Sequence, residues 1–349
     1  MNSPISNLMI RHRNWEDALS LAFALLVSVD AGEVVCISGP SRVGKTRMIK
    51  ELCALLSGTS KAPEGIMPNV VVNASNTGKN GGFSTKDFMI RMLNAVKHPI
   101  FSMQHNLNNL DDLTSHKKID RITESAIRRA VEQAFIARGV KYLFIDETQH
   151  AHYASRDSMG AYAVLDSWKC LAEDCNIVLV IVGTYPLLNI IRNSPHLLAR
   201  KHQVHLPRYI KTPDDIAQFN AIVAVYSQHL PLKDNLTGKP NILSFLYDGS
   251  LGCIGLLRAW FLRANALAKV KNTHINKAIL FETRLSDVEL NDIKVEIDEG
   301  EAILAKHSLI IPPTIKKPVA SKNTRKKNKA FQRKPKRMKP GNRLPNTNT

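Results

Sequence analysis

Eight consecutive residues, Gly39-Pro-Ser-Arg-Val-Gly44-Lys45-Thr46, fill the pattern GxxxxGK[ST] completely. Glycines at both ends of such a loop let backbone N–H groups curl around a small anion, and a helix starting there adds the positive end of its dipole. The flanking residues agree. Glu33-Val-Val-Cys-Ile-Ser38 is a short β-branched run, and Thr46-Arg-Met-Ile-Lys-Glu-Leu-Cys-Ala-Leu-Leu56 has helical composition. Strand, glycine loop and helix therefore follow in the order that a phosphate-binding loop requires. In a chain of this composition a chance match is roughly one in a hundred.

The rest of the chain supplies the sheet that such a loop needs. Trp15, Leu19, Ala22, Phe23 and Leu26 recur on one face of a helix predicted over 14–31. Asn69-Val-Val-Val-Asn73 reads as a second strand, followed by a Gly/Asn/Ser-rich loop and a helix from Thr85. Ile127, Val131, Ala134 and Phe135 lie at helical spacing, and Gly139 ends that helix. Lys141-Tyr-Leu-Phe-Ile-Asp146 and Asn176-Ile-Val-Leu-Val-Ile-Val-Gly183 are near-continuous apolar runs, as expected of strands buried on both faces. Val204-His-Leu206 is a weaker fifth strand. Strands alternating with helices predict an α/β fold with a parallel five-stranded sheet.

From Thr212-Pro-Asp-Asp215 the texture becomes helical: Thr is the N-cap, Pro stands in the first turn, and two acids face the dipole. Helical segments run to about 305, with a break expected at Gly249 and Ser250. The organisation predicted is an α/β nucleotide-binding domain over 1–210, a small helical lid with a C-terminal helix over 211–311, and a disordered basic tail over 312–349. Charge sharpens the last boundary. The formal net charge is +18, but residues 312–349 hold 13 Lys and Arg and no acid, leaving 35 basic against 30 acidic residues in the body. Such a tail is expected to be disordered and to bind DNA or an acidic surface through counterion release.

Composition also excludes some classes. A 44% hydrophobic chain is not wholly disordered. Five cysteines without a CxxC pair argue against a disulfide scaffold or a cysteine-rich zinc site and fit a reducing, cytoplasmic setting. No apolar run reaches the length of a membrane span, so no membrane partner is expected, and the first twenty residues lack the order of a signal peptide.

The loop residues Gly39, Pro40, Ser41, Arg42, Val43, Gly44, Lys45, Thr46 and Arg47 are the expected nucleotide contacts. Lys45 reaches the β and γ oxygens and the Thr46 hydroxyl binds Mg²⁺. About a hundred residues on, Leu143-Phe-Ile-Asp146-Glu147 ends an apolar strand in two acids. Asp146 is placed to hold Mg²⁺ through water, and Glu147 to polarise an attacking water, which favours hydrolysis of ATP over binding alone. Thr184, ending the next buried strand, is placed to sense the γ-phosphate or the lytic water. Arg200 is the candidate to reach a neighbouring subunit's nucleotide, with Arg192 and Arg208 as rivals; a plain surface arginine fits each equally well.

Together these pieces resemble an AAA+ ATPase: helix, Walker A, Walker B ending in Asp-Glu, a polar sensor on the next strand, then a helical lid. Ile145-Asp-Glu-Thr-Gln-His150 is similar to the Walker B of bacterial transposition ATPases of the TnsC/TniB type. Val182-Gly-Thr-Tyr-Pro186, His205-Leu-Pro-Arg208-Tyr209 and Gly249-Ser-Leu-Gly252-Cys-Ile-Gly255-Leu-Leu fit the same group, and the resemblance spans roughly 10–305. It implies a bacterial cytoplasmic regulator of DNA transposition. With ATP bound, such a protein assembles as a homo-oligomer, ring or helical filament, on double-stranded DNA. It links a target-selector protein to transposase subunits and disassembles on hydrolysis. Many AAA+ lids carry an arginine in a Gly-x-x-Arg turn; here Gly252-Cys-Ile-Gly255 stands there with Arg258 one turn on, so the second sensor is unassigned. For the DNA backbone the candidates are Lys79 and Lys86, and Lys117, Lys118, Arg121 and Arg128, each equally readable as a solvated surface charge. A helicase loader or replication-initiator-like ATPase, or a DNA-tethering protein that does not hydrolyse nucleotide, is the alternative.

Overall fold

β-branched and aliphatic residues in continuous runs put strands at the centre of the molecule. The computed structural model describes residues 5, 8–58, 63–76, 82–101, 121–154, 158–232 and 240–308. Among them, β1 (Val34–Ser38), β2 (Asn69–Asn73), β3 (Tyr142–Asp146), β4 (Val178–Gly183) and β5 (Lys201–His205) form one sheet in the order β2-β3-β4-β1-β5. Every pairing is parallel, as the sequence predicts. β1 and β4 are buried along their whole length, whereas the edge strand β2 alternates and exposes Val71. The fifth strand is longer than its weak apolar signal indicated, because an edge strand with one covered face needs few apolar residues: only Val204 of β5 is fully buried.

The two faces of the sheet separate cleanly by residue parity. Val35, Ile37, Phe144, Val180 and Val182 pack under α1 (Arg13–Ser28) and α2 (Lys45–Ser57). Cys36, Leu143, Ile145, Leu179 and Ile181 pack under α3 (Thr85–Ala95), α4 (Glu124–Ala137) and α5 (Ser158–Asp174). The first helix stops three residues short of its expected end, at Ser28, because Val29 is already extended and Gly32 turns at φ 86°. Two short helices, α6 (Pro186–Arg192) and α7 (Pro195–Ala199), join β4 to β5. Because β1 lies between β4 and β5 while β2 is at the far edge, the strand order reverses beside β1. The crevice at its C-terminal end is where α/β sheets bind ligands.

Beyond residue 212 the described elements are helices: α8 (Pro213–Gln228), α9 (Pro240–Ser250), α10 (Ile254–Val270), α11 (Lys277–Thr283) and α12 (Asp287–Ser308). Thr212 caps α8 by accepting the Asp215 N–H at 3.3 Å. Asp215 does more than face the dipole: it is buried, pairs with Arg13 and accepts the Ile210 N–H at 2.8 Å. Phe219, Tyr226, Leu246, Trp260 and Phe261 form the core of this layer, and it packs with the sheet in one compact unit, Met1–His307. No single helix among the described residues is long and apolar enough to cross a membrane. The predicted tail, 312–349, lies outside the described residues.

The expected break at Gly249 and Ser250 is displaced. Both residues lie inside α9, and the chain turns at Leu251 (φ 53°) and Gly252 (φ 72°). Gly249 serves packing, since a Cβ there would lie 2.4 Å from the Trp260 ring. Gly249→Ala therefore sets a helix-propensity gain of up to about 1 kcal/mol against overpacking of about 1–3 kcal/mol. The buried ring cannot yield, so net destabilisation is expected, measured as a lower midpoint in denaturant unfolding.

Candidate active site

The glycine loop leaves β1 at Ser38 and turns twice through the left-handed region, at Arg42 (φ 59°) and Gly44 (φ 107°). Gly39 has no room for a side chain, because a Cβ would lie 2.4 Å from the Leu206 carbonyl oxygen. α2 begins at Lys45 with neither a capping side chain nor an acid in its first turn. Its free N–H groups and dipole are thus left for an anion. Lys45 is 6% exposed and donates to the carbonyls of Gly39 (3.1 Å) and Pro40 (2.8 Å). Burial pushes its ammonium down to about 8, against the pull of Glu147, Asp146 and Glu296.

β3 delivers the acids. Thr46 Oγ1 donates to Asp146 Oδ2 at 2.6 Å, joining residues 100 positions apart. Burial lifts the Asp146 carboxyl above the usual range, while the bonds from Thr46 and from the Glu147 N–H hold it down. A hydroxyl and a carboxylate in contact are a hard-oxygen donor set that fits Mg²⁺. Glu147 follows in the left-handed region (φ 55°) and lines the cleft above the loop. Its carboxylate accepts from the Gln149 side-chain amide, whose Oε1 accepts the Thr184 N–H at 3.2 Å. The backbone of Thr184 is thereby tied to Glu147 through Gln149, a residue without a role in the sequence-based expectation; its signal was the Gln within Asp-Glu-Thr-Gln-His.

A cleft of about 860 Å³ extends from the loop toward α10 and the N-terminal segment. Leu8, Ile10, His12, Trp15, Tyr226 and Ile254 give it a largely apolar end suited to a planar base. Ser41, Arg42, Val43 and Arg47 line the other end with Lys45 and Thr46. Gly255 explains the absent arginine of the lid turn. A Cβ there would lie 1.6 Å from the Arg42 carbonyl oxygen, so α10 rests directly on the loop backbone. Arg258 lines the cleft and also donates to the Ile5 carbonyl at 3.3 Å.

α12 closes the far side. Gly300 sits on the Tyr185 ring, where a Cβ would lie 2.0 Å from the nearest ring atom. Arg208 reaches α12 through Asp298 at 3.0 Å and Glu301 at 2.9 Å, so this rival for the trans-acting role is committed within its own chain. Arg200 stands at the opposite end of the sheet, beside the start of β1, and pairs with Glu173. Arg192, ending α6, is exposed with no ion pair among the described residues. Of the DNA candidates, Lys86 is half-buried in the first turn of α3 and Arg121 is exposed, while Arg128 is engaged by Glu132, Ser167 and Asp174. Lys79, Lys117 and Lys118 lie outside the described residues.

Residues 29–191 match the family model of the AAA domain. That stretch holds the strand, glycine loop, Walker acids and β4 described above, so the similarity falls on the part of the chain that builds the site. Among solved structures, the ORC2 protein of Aeropyrum pernix, in ADPNP and ADP complexes, is similar in fold. It shares 15% identity over 80% of this chain and 69% of that one, with a TM-score of 0.51. Cdc6p of Pyrobaculum aerophilum aligns at 15% identity over 77% and 66% of the two chains, TM-score 0.49. A Walker-type ATPase of Pyrococcus abyssi aligns at 11% identity over 84% and 75%, TM-score 0.48. No curated protein matches the chain.

His12 gives the fold a measurable pH signature. Its Nδ1 lies 3.1 Å from the Tyr209 hydroxyl, and burial pushes the imidazole down to about 4. The folded state thus holds it neutral where the unfolded chain takes up a proton. Stability is present above about 6.5 and is lost as pH falls from there to about 4, by on the order of 3 kcal/mol. His12→Gln is expected to flatten that part of the stability–pH curve, measured by denaturant unfolding across the window.

Proposed function

We propose that this chain is an ATP-hydrolysing, DNA-bound regulator of transposition, working in the bacterial cytoplasm. The ATPase reading is carried by one observation: Lys45, Thr46, Asp146 and Glu147 converge at the C-terminal edge of the sheet, beside an uncapped helix N-terminus. Loop N–H groups and Lys45 bind the phosphates and stabilise charge that develops on the γ-phosphoryl oxygens. Thr46 and Asp146 would hold Mg²⁺, which when bound neutralises and orients the β and γ oxygens. Glu147 accepts a proton from the attacking water, and Thr184, just after β4, is joined to it through the Gln149 amide.

The transposition reading draws on the resemblance of Asp-Glu-Thr-Gln-His and His-Leu-Pro-Arg-Tyr to the TnsC/TniB type. In that reading the ATP-bound chain forms a ring or helical filament on double-stranded DNA, with Arg200 exchanging its pairing to Glu173 for the neighbouring subunit's nucleotide. It joins a target selector to transposase subunits, and hydrolysis releases the assembly. Contact of α10 with the loop backbone supports a nucleotide-dependent lid, since phosphate bound by the loop alters what Gly255 packs against. A replication-initiator-like or helicase-loading ATPase is the second reading, favoured by the fold shared with the ORC2 protein.

Lys45→Ala is expected to lower ATP affinity about a hundredfold, the loss of about 3 kcal/mol of charge-assisted hydrogen bonding. Glu147→Gln is expected to retain binding, slow hydrolysis by about 10²–10⁴-fold and accumulate DNA-bound assemblies visible by electron microscopy. DNA binding that is equal with and without ATP would overturn the switch. Co-purification with a helicase and not a transposase would favour the second reading.

A further inference from the structure

Gln149 occupies a slot built for a side-chain amide. Its turn, the 3-10 segment Thr148–Ala154, is pinned by Thr148, which is fully buried and donates to the Ile145 carbonyl at 2.8 Å. The slot has three walls. Glu147 offers a carboxylate oxygen, which needs a donor; the Thr184 N–H at 3.2 Å needs an acceptor. Gly183 supplies the space, because a Cβ there would lie 2.6 Å from Gln149 Oε1. Both partners demand the same orientation of the amide, NH₂ toward Glu147 and oxygen toward Thr184, so its assignment is fixed chemically. A carboxylate in that place would present lone pairs to Glu147, and an aliphatic chain would leave the Thr184 N–H without its acceptor.

We propose that Gln149 is a positioning residue that couples the end of β4 to the carboxylate of Glu147. The inference rests on the ATPase reading above and concerns how that site is switched. Thr184 directly follows β4, which pairs with β1 up to Ser38 and Gly183 just before the glycine loop, so a phosphate that shifts this strand end also shifts the amide. The amide holds one oxygen of Glu147 and leaves the other for water. Glu147 is held in the left-handed backbone region, where a non-glycine residue persists only when its surroundings fix it, and the Gln149 amide is one of those fixing contacts. Occupancy of the phosphate site and orientation of the base thereby become one event.

Gln149→Leu and the isosteric Gln149→Glu test this in the full-length chain. Leu removes both hydrogen bonds, whereas Glu keeps an acceptor for Thr184 and removes only the donor to Glu147. Both are expected to lower kcat about 10–100-fold, the cost of a misplaced catalytic group, with the Kd for a fluorescent ATP analogue within about twofold of wild type. In a Glu147→Gln background the same substitutions are expected to change the residual rate by less than about twofold, because the residue through which they act is already altered. Wild-type kcat in Gln149→Glu would overturn the inference. So would additive losses in the double variant, or a parallel loss of nucleotide binding, which marks a merely structural role. A wild-type chain that binds ATP but never hydrolyses it, with DNA present, would instead overturn the ATPase reading and take this inference with it.

Discussion

A lysine ammonium almost sealed from water is the constraint around which this molecule is arranged. Lys45 is only 6% exposed, and an isolated cation so placed would be costly. The loop answers first, with the carbonyls of Gly39 and Pro40. Three acids from two distant segments then face it electrostatically: Asp146 and Glu147 at the end of β3, and Glu296 on α12. The price of that burial is a lowered proton affinity, and its use is an anion site in which, among the described residues, no carboxylate pairs directly with the ammonium.

Close backbone approaches hold those segments together. Gly39 lies against the Leu206 carbonyl, Gly252 against that of Tyr209 and Gly255 against that of Arg42, while Gly300 lies on the Tyr185 ring. Each places a helix or loop nearer its neighbour than any side chain allows. The His205–Tyr209 segment is the hub. His205 meets the Tyr185 hydroxyl at 2.9 Å, Arg208 binds α12, and Tyr209 contacts His12. A stretch that reads in sequence as a family signature is thus in space the joint between sheet, N-terminal segment and helical layer.

Strands, glycine loop and Walker acids were legible because each has a local cause: a continuous apolar run, a left-handed turn, a strand end. What escaped has none. Gln149 is an ordinary polar residue until Gly183 and Thr184 arrive from β4. The docking of α12 was equally hidden. It buries Ile297 but exposes Val288 and Val295, so its periodicity does not announce a buried face, and its anchors to Arg208 are long-range ion pairs. The displaced break after α9 has the same origin. Glycine suggests a turn locally, whereas Gly249 is there to admit the Trp260 ring.

The order of these elements along the chain carries a consequence for how the protein comes into being. Thr46 waits 100 residues for Asp146, and Arg208 a further 93 for Glu301. At ordinary elongation rates the second interval alone is roughly 5–20 s on the ribosome. Through it the sheet can form with Tyr185, Leu188 and Arg208 uncovered, since Ile297 and Gly300 do not yet exist. Contacts of such sequence separation also slow refolding, because loop closure must precede the contacts that reward it. A nascent or shortened chain can therefore own every residue of the glycine loop and still lack the closed site.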